Sequence, residues 1–544
     1  MPTLTIDGAQ ITVPGPVTIL EAARTAGIVI PHYCYHPGLT AVGQCRMCQV
    51  EVEKTPKLVT ACNTQAADGM VVWTRSARVE KARRAVLEFY LLNHPLDCPV
   101  CDKGGECPLQ DYTLTYGPGE SRSAEPKVRR AKHQVLGPHI VFDAERCILC
   151  TRCVRFCREV PGSGELGVFS RGDRSEIALF PGRQLDNAYS GNVIDLCPVG
   201  ALTSRAYRFR ARPWDLVAGA ESVCPHCSTG CNVILDVRRR QQGEELLRIR
   251  PREHPEVNRW WICDEGRFAW GALSDPARLR LPRWREGDAQ VEAEYPALVE
   301  RTAGALRRIL EAHGAGAVGG IVSSRHTLEE LFVARRFFRE ILGTPHLDFR
   351  VRPAQWEPED AAEDGILRRT DKTPNSRGAR GLDVLPGEGG LDTRAMLLAA
   401  REGRLRALFV LEEDLAGELP EQRAEEALGG LEFLAASGCL ATRTTAAAHA
   451  LLPAHGFAEK EGSFCNFQGR IQRIRRALAP PLASPPLPEF LRDLARALGK
   501  ELGPIEPPEV WDAIGAAPGP FRGIDRARWE AIGPLGLMPE GTGG

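Results

Sequence analysis

Sixteen of the chain's 18 cysteines lie between Cys34 and Cys263, in groups whose spacing suits metal ligation. The first group is Cys34, Cys45, Cys48 and Cys62, and its middle pair, "CRMC", has the separation that lets two thiolates grip one metal ion. The second, in "HPLDCPVCDKGGEC", is His94, Cys98, Cys101 and Cys107. Three thiols and an imidazole in so short a stretch make one metal centre the economical reading. The third is the run "CILCTRCVRFC", with Cys147, Cys150, Cys153 and Cys157. The fourth is "CPHCSTGC", with Cys224, Cys227 and Cys231, closed by Cys263 in "WWICDEGRF". Thiols kept reduced in a cytosol are metal ligands sooner than disulfides.

The third group has the C-x2-C-x2-C-x3-C spacing of bacterial ferredoxins. In two-cluster ferredoxins the last cysteine of that run serves a second cluster, which needs a second such run. Here the return segment, "AYSGNVIDLCPVGAL", holds one cysteine, Cys197. Cys197 is therefore expected to complete the site of Cys147, Cys150 and Cys153, leaving Cys157 as a buried thiol. The first group fits a plant-type [2Fe-2S] centre, with ten residues in the first gap where those ferredoxins have four. Zinc is the competing reading: a four-cysteine site for the first group, a one-histidine site for the second, a zinc ribbon for the fourth. His94 could also be a helix cap beside a three-cysteine site. Four cluster-type spacings in tandem, one a ferredoxin run, favour iron–sulfur centres in series, which is an electron wire.

These ligands need elements to hold them. "TLTI" and "ITV" alternate around "DGAQ" as a hairpin, and "TILEAARTAG" reads as a helix capped by Thr18 and stopped by Gly27. That is how a β-grasp ferredoxin begins. A helix over Val79–Asn93 ends before Pro95, which puts His94 at a helix end facing a loop. "GPGESRSAEPKVRRAKHQ" reads as a linker, "HIVF" as a strand, and "NVILDV" and "LLRIR" as strands inside the fourth group. Past Cys263 the pattern alternates: "GAVGGIVSS" and "RALFVLEED" as buried strands, "TLEELFVARRFFREILG" as an amphipathic helix, together a parallel sheet. "LAPPLASPPLPEF" leads to a last helix, and "PLGLMPEGTGG" reads as a loose tail.

Composition sets limits. The chain has 544 residues, room for three or more domains, with 69 basic against 70 acidic side chains and a formal charge of -1. Nothing there points to nucleic acid or to a polybasic membrane surface. The start, "MPTLTIDGAQITV", does not read as a signal peptide, and no apolar run is long enough to span a bilayer. "GAGAVGG" is not a G-x-G-x-x-G fingerprint after a strand, so no nicotinamide or flavin site is expected on this chain.

The motifs "CRMCQVEVE", "HPLDCPVCDKGGECPLQD", "CILCTRCVRFC" with "CPVGAL", and "CPHCSTGC" with "CDEGRF" resemble the large iron–sulfur subunits (the G, or 75 kDa, type) of bacterial NADH:quinone oxidoreductase, respiratory complex I. "KTPNSRGARGLDV" and "EKEGSFCNFQGRIQ" are similar to the molybdopterin-oxidoreductase-type domain of those subunits. The resemblance runs to about residue 475 and is strongest before 270.

It implies one [2Fe-2S] cluster on Cys34, Cys45, Cys48 and Cys62. It also implies three [4Fe-4S] clusters: on His94, Cys98, Cys101 and Cys107; on Cys147, Cys150, Cys153 and Cys197; and on Cys224, Cys227, Cys231 and Cys263. The third of these is found in only some bacterial members. The implied partners are a flavin- and NADH-binding subunit, a [2Fe-2S] subunit and the quinone-module subunits, with the complex peripheral on the cytoplasmic face of the inner membrane. A soluble NAD-linked hydrogenase or formate dehydrogenase is the alternative setting, and a zinc-binding scaffold the alternative of another class.

Molybdopterin enzymes commonly carry C-x-K-G where this chain has Glu265, and no cysteine stands out as a molybdenum ligand. The second half is therefore expected to be a scaffold without its cofactor. The expected architecture is α+β and α/β, multidomain. It comprises a β-grasp [2Fe-2S] domain (1–75), a [4Fe-4S] segment with one histidine and three cysteine ligands (76–135), and a ferredoxin-like [4Fe-4S] domain (136–216). A molybdopterin-oxidoreductase-type [4Fe-4S] domain (217–272), a truncated, degenerate molybdopterin-oxidoreductase-like α/β domain (273–485), and a C-terminal helix and tail (486–544) follow.

Overall fold

A computed structural model describes residues 1–217, 219–241, 243–352 and 363–539. The contacts divide the chain into two units, Met1–Leu216 and Val217–Gly544.

The first unit opens on a hairpin, β1 (Thr3–Ile6) and β2 (Ala9–Thr12), followed by α1 (Ile19–Thr25). Thr18 and Glu21 cap α1 reciprocally, each satisfying an orphan donor of the first turn. With β3 (Gln49–Val52), β4 (Val59–Thr60) and β5 (Val71–Trp73) the hairpin forms a mixed sheet in the order β2-β1-β5-β3-β4. Leu4, Ile6, Val50 and Val72 from the sheet bury against Ile19, Ala22 and Ala23 of α1, with Cys48 and Cys62 in the same core.

Helix α2 (Ala77–Asn93) ends at His94 and α3 (Pro108–Tyr116) starts at Cys107. The "linker" is pinned rather than free. Lys127 Nζ donates to the carbonyls of Leu91 and Leu92, placing a cation on the orphan acceptors at the end of α2.

Next come β6 (Gln134–Val135), β7 (Ile140–Phe142), α4 (Arg152–Glu159), the hairpin β8 (Leu166–Phe169) and β9 (Glu176–Leu179), α5 (Asn192–Leu196), and β10 (Leu202–Ser204), which pairs with β7.

In the second unit, β11 (Ala220–Val223), β12 (Asn232–Arg240) and β13 (Gly243–Pro251) form an antiparallel sheet, and α6 (Asp264–Phe268) follows it. A seven-stranded sheet takes the order β15-β14-β20-β19-β18-β16-β17, from β14 (Arg283–Glu286), β15 (Ala289–Glu292), β16 (Val318–Ser323), β17 (Leu347–Arg350), β18 (Ala407–Leu411), β19 (Phe433–Gly438) and β20 (Ala450–Pro453). Its five strands from β20 to β17 are parallel and buried, and the chain reverses direction across the sheet between β16 and β18. Such a switch point opens a cleft at the carboxyl ends of the strands. Helices α7 (Tyr295–His313) and α8 (Leu328–Arg336) supply apolar residues to the core on this sheet.

The pair β21 (Gly462–Cys465) and β22 (Ile471–Ile474) precedes the last helices. Three follow rather than one: Leu487–Ala497, Pro507–Ala516 and Arg526–Glu530. Trp511 and Trp529 anchor the last two in the core, donating to Glu329 Oε1 and Ser463 Oγ. The segment expected to be a loose tail is tied at Leu537, which exchanges backbone hydrogen bonds with Ile471; residues 540–544 lie outside the described residues.

Candidate metal centres

In the first group all four cysteines are buried. The Tyr33 amide donates to Cys45 Sγ at 3.4 Å, and the Tyr90 hydroxyl donates to the Cys45 carbonyl. The neighbouring Cys34 thiol and then burial push Cys45 well up. The Cys34 thiol pulls Cys62 down, but Cys48 and burial overcome it and leave Cys62 at about 12. The ten-residue gap is a loop that leaves Cys34 beside Cys45 and Cys62.

Cys147, Cys150, Cys153 and Cys197 line one pocket, walled by Phe142, Ile148, Ile177 and Val199. Burial is the main reason Cys147 rises to about 12 and Cys153 rises well above its ordinary value. Cys157 is fully buried on α4 but faces Glu165, which pushes its thiol up after burial does.

In the second group, burial raises Cys101, and Cys107 to about 11. This group abuts the third: Cys107 Sγ meets the Pro198 carbonyl at 3.7 Å, and a Cβ on Gly200 would sit 2.0 Å from Cys101 Sγ. Only glycine fits the third position after Cys197. Asp97, beside Cys98, pairs with Arg146, beside Cys147, at 2.9 Å. His94 is the C-cap of α2 and lines a cavity of about 270 Å³ with Cys147 and Phe142. Burial, then Arg146 and Lys127, lower its ring to about 4, so it is a neutral imidazole at neutral pH. Its charged neighbours are Arg146, Lys127, Asp97 and Lys132.

In the fourth group the Cys224 amide donates to the Cys231 carbonyl at 2.8 Å, closing the loop. Cys263 caps α6, its Sγ accepting from the Gly266 amide at 3.4 Å. The later motif "EKEGSFCNFQGRIQ", with Asp371 just ahead of the other, braces that loop. The Phe467 amide donates to the Ser228 carbonyl, Gln472 Nε2 to that of Gly230, and Asn466 Nδ2 to that of Thr229, while the Ser228 amide donates to Asp371. Glu265 pairs with Lys372, which restores a cation beside the group from another segment.

The donor sets fit iron–sulfur clusters. The shifted thiols would stay protonated as free side chains, and bound iron is what would make them thiolates. Among the described residues, no three His, Cys, Asp or Glu side chains converge as ligands of a single ion do.

The sequence reading missed Arg152 and Arg155, which alternate with the cysteines of the third run. Arg155 Nη2 donates to the carbonyls of Cys34 and Cys150, Arg155 Nη1 to that of Thr40, Arg152 Nη2 to that of Tyr35 and Arg152 Nη1 to that of Leu196. The signal for them is the pair of basic residues in "TRCVRFC".

Residues 1–77 match the 2Fe-2S iron-sulfur cluster binding domain, 83–122 the NADH-ubiquinone oxidoreductase-G iron-sulfur binding region, and 137–203 the ferredoxin-like domain of NADH-quinone oxidoreductase subunit 3. Residues 218–271 match the NDSU1/NuoG-like 4Fe-4S domain of NADH-ubiquinone oxidoreductase. Residues 1–271 thus carry, in succession, iron–sulfur domains of the kind found in the large (G-type) subunits of NADH-quinone oxidoreductase. Residues 374–497 match a molybdopterin oxidoreductase domain.

The G subunit of NADH-quinone oxidoreductase from Streptomyces coelicolor is 42% identical over 66% of this chain and 42% of its own length. The mitochondrial 78 kDa subunit of NADH-ubiquinone oxidoreductase from Candida albicans is 43% identical over 57% of this chain and 42% of its own. The chain thus spans less than half the length of these relatives. An NAD+-reducing [NiFe]-hydrogenase structure has one chain 32% identical to this one, covering 39% of this chain and 90% of its own, with a TM-score of 0.36. No helix among the described residues is long and apolar enough to cross a membrane.

Proposed function

We propose that this chain relays single electrons in the peripheral arm of an NADH:quinone oxidoreductase, between a flavin subunit and the quinone-facing subunits. In this reading one [2Fe-2S] cluster sits on Cys34, Cys45, Cys48 and Cys62. Three [4Fe-4S] clusters sit on His94 with Cys98, Cys101 and Cys107, on Cys147, Cys150, Cys153 and Cys197, and on Cys224, Cys227, Cys231 and Cys263. When bound, the clusters supply reversible one-electron redox chemistry.

The chain's own residues do the rest. Apolar walls at the third group exclude water, backbone amides at Tyr33 and Gly266 steady the sulfurs, and the Pro198–Gly200 turn keeps the second and third groups in contact. The observation that carries the reading is this adjacency: three donor sets joined through shared residues in one unit, as an electron path needs. Partners and a peripheral place on the cytoplasmic face of the membrane follow from the same reading.

We also infer that the second half holds no molybdopterin. The cleft at the carboxyl ends of β16 to β18, about 980 Å³, is lined by Glu265, Asp348, Asp392, Glu418 and Glu421 as well as arginines. Those carboxylates match the basic side chains of the lining in number, which leaves the cleft no net positive charge for a phosphate-bearing cofactor. Redox titration of the full chain, followed by low-temperature electron paramagnetic resonance, tests the relay. Several separately reducible centres are expected, and a chain with no reducible signal refutes it.

A further inference from the structure

Arg155 is 3% exposed, and its donors are spent on neutral oxygens: the carbonyls of Thr40, Cys34 and Cys150, and the Thr151 hydroxyl at 3.4 Å from Nε. Arg152, one position before Cys153, reaches the carbonyls of Tyr35 and Leu196, and its Nε has no partner. Among the described residues no carboxylate is paired with either guanidinium. Glu159, the acid on the same helix, is taken by the Thr40 amide and Arg158.

A buried cation with no counter-charge is costly, because it gives up its hydration without an opposite charge to replace it. Two side by side would not persist without negative charge close at hand. The groups around Arg152 that can carry it are thiols, Cys150 and Cys197 of the third group and Cys34 and Cys45 of the first. The two arginines therefore touch the backbones around both groups, and Arg152 faces sulfurs of both.

We propose that Arg152 and Arg155 are a shared counter-ion for two metal centres, setting the redox potentials of the first and third groups together while holding the Cys34 loop against the Cys150 loop. This rests on the electron-relay reading above. A thiolate-ligated cluster becomes more negative on reduction, so a fixed cation nearby favours the reduced state. Because one guanidinium spans two ligand backbones, its charge acts on both. A residue that merely braced the loop would serve through its hydrogen bonds, and lysine, which keeps the charge but not the planar fork, would not replace it.

The test uses the full chain purified without oxygen, with Arg155→Gln and Arg155→Lys, read by redox titration with electron paramagnetic resonance and by iron content. Arg155→Gln is expected to shift the midpoints of the first and third centres downward together and leave the fourth unmoved. Arg155→Lys is expected to return both toward the wild-type values. A glutamine variant that moves one centre alone, or neither, overturns the proposal, and so does a lysine variant that fails to restore both. If the glutamine variant loses iron instead, loss at the first and third sites with the fourth intact supports the shared dependence, and loss at one alone contradicts it. Wild-type chain holding no iron or sulfide would defeat the relay reading itself, before any variant is compared.

Discussion

In the first unit, Arg152 and Arg155 lie buried against two cysteine groups with carbonyls for partners. In the second unit the basic side chains near the ends of β16 to β18 meet carboxylates of the same chain. Arg350 and Arg352 pair with Glu413 and Glu418, Lys372 with Glu265, and Lys460 with Glu330 and Glu412. Arg325 stands between these cases: burial pulls it down to about 10, while Glu413 and Glu412 face it without a direct pair. The contrast teaches what each region is built to receive. Cations left uncompensated around thiols await a negative cluster. Cations already neutralised around a cleft leave little attraction for a phosphate-bearing cofactor.

The largest effect that could break this contrast is at Cys197. Cys197→Ser should lose the iron of the third centre, whereas Cys157→Ser, whose thiol faces Glu165, should keep iron content and resonance signals unchanged. Loss of a centre in the Cys157 variant would reverse that assignment.

Next is Lys460→Met, which leaves the buried Glu330 and the half-buried Glu412 without their shared cation. Breaking a buried pair costs about 3–5 kcal/mol, to be read by denaturant unfolding of the second unit. Burial works against the Glu330 charge, but Lys460 and then His326 outweigh it and hold the carboxyl below its ordinary value. Its contribution is therefore fully present above the ordinary glutamate value, about 4.3. It is lost as pH falls through the lower folded value. The Lys460 variant should show a shallower loss of stability under acid than wild type, and an identical acid profile would contradict the pairing.

Acid extraction and pterin fluorescence sharpen the other side of the comparison. No pterin is expected from purified chain, and a stoichiometric amount would show that the internal ion pairs open to admit it.

The smallest expected effect is at His94. His94→Cys should keep the iron of the second centre and only lower its potential, since a thiolate adds one negative charge where imidazole has none. An unchanged potential would leave His94 as the cap of α2 alone.

The candidate ligands stand out in the sequence because cluster ligands come in short local spacings, and Cys197 does so because "CPVGAL" follows a run that lacks its partner. The start of the β-grasp is legible in the Thr18–Glu21 capping pair and the alternation of residues 3–12. What stays hidden depends on distance in sequence. Nothing local says that Arg155 reaches Cys34, that Gly200 must be small because Cys101 packs on it, or that Lys372 replaces the cation missing at Glu265. The last two helices are hidden because their polar and proline-rich surroundings outweigh two tryptophans whose partners, Glu329 and Ser463, lie far upstream.

The central claim is that the four groups hold iron–sulfur clusters and that the buried cations of the first unit answer their charge. Iron, zinc and acid-labile sulfide, measured per chain in protein purified without oxygen, test it most directly. The account predicts iron with matching sulfide and no stoichiometric zinc. Zinc without sulfide would contradict it.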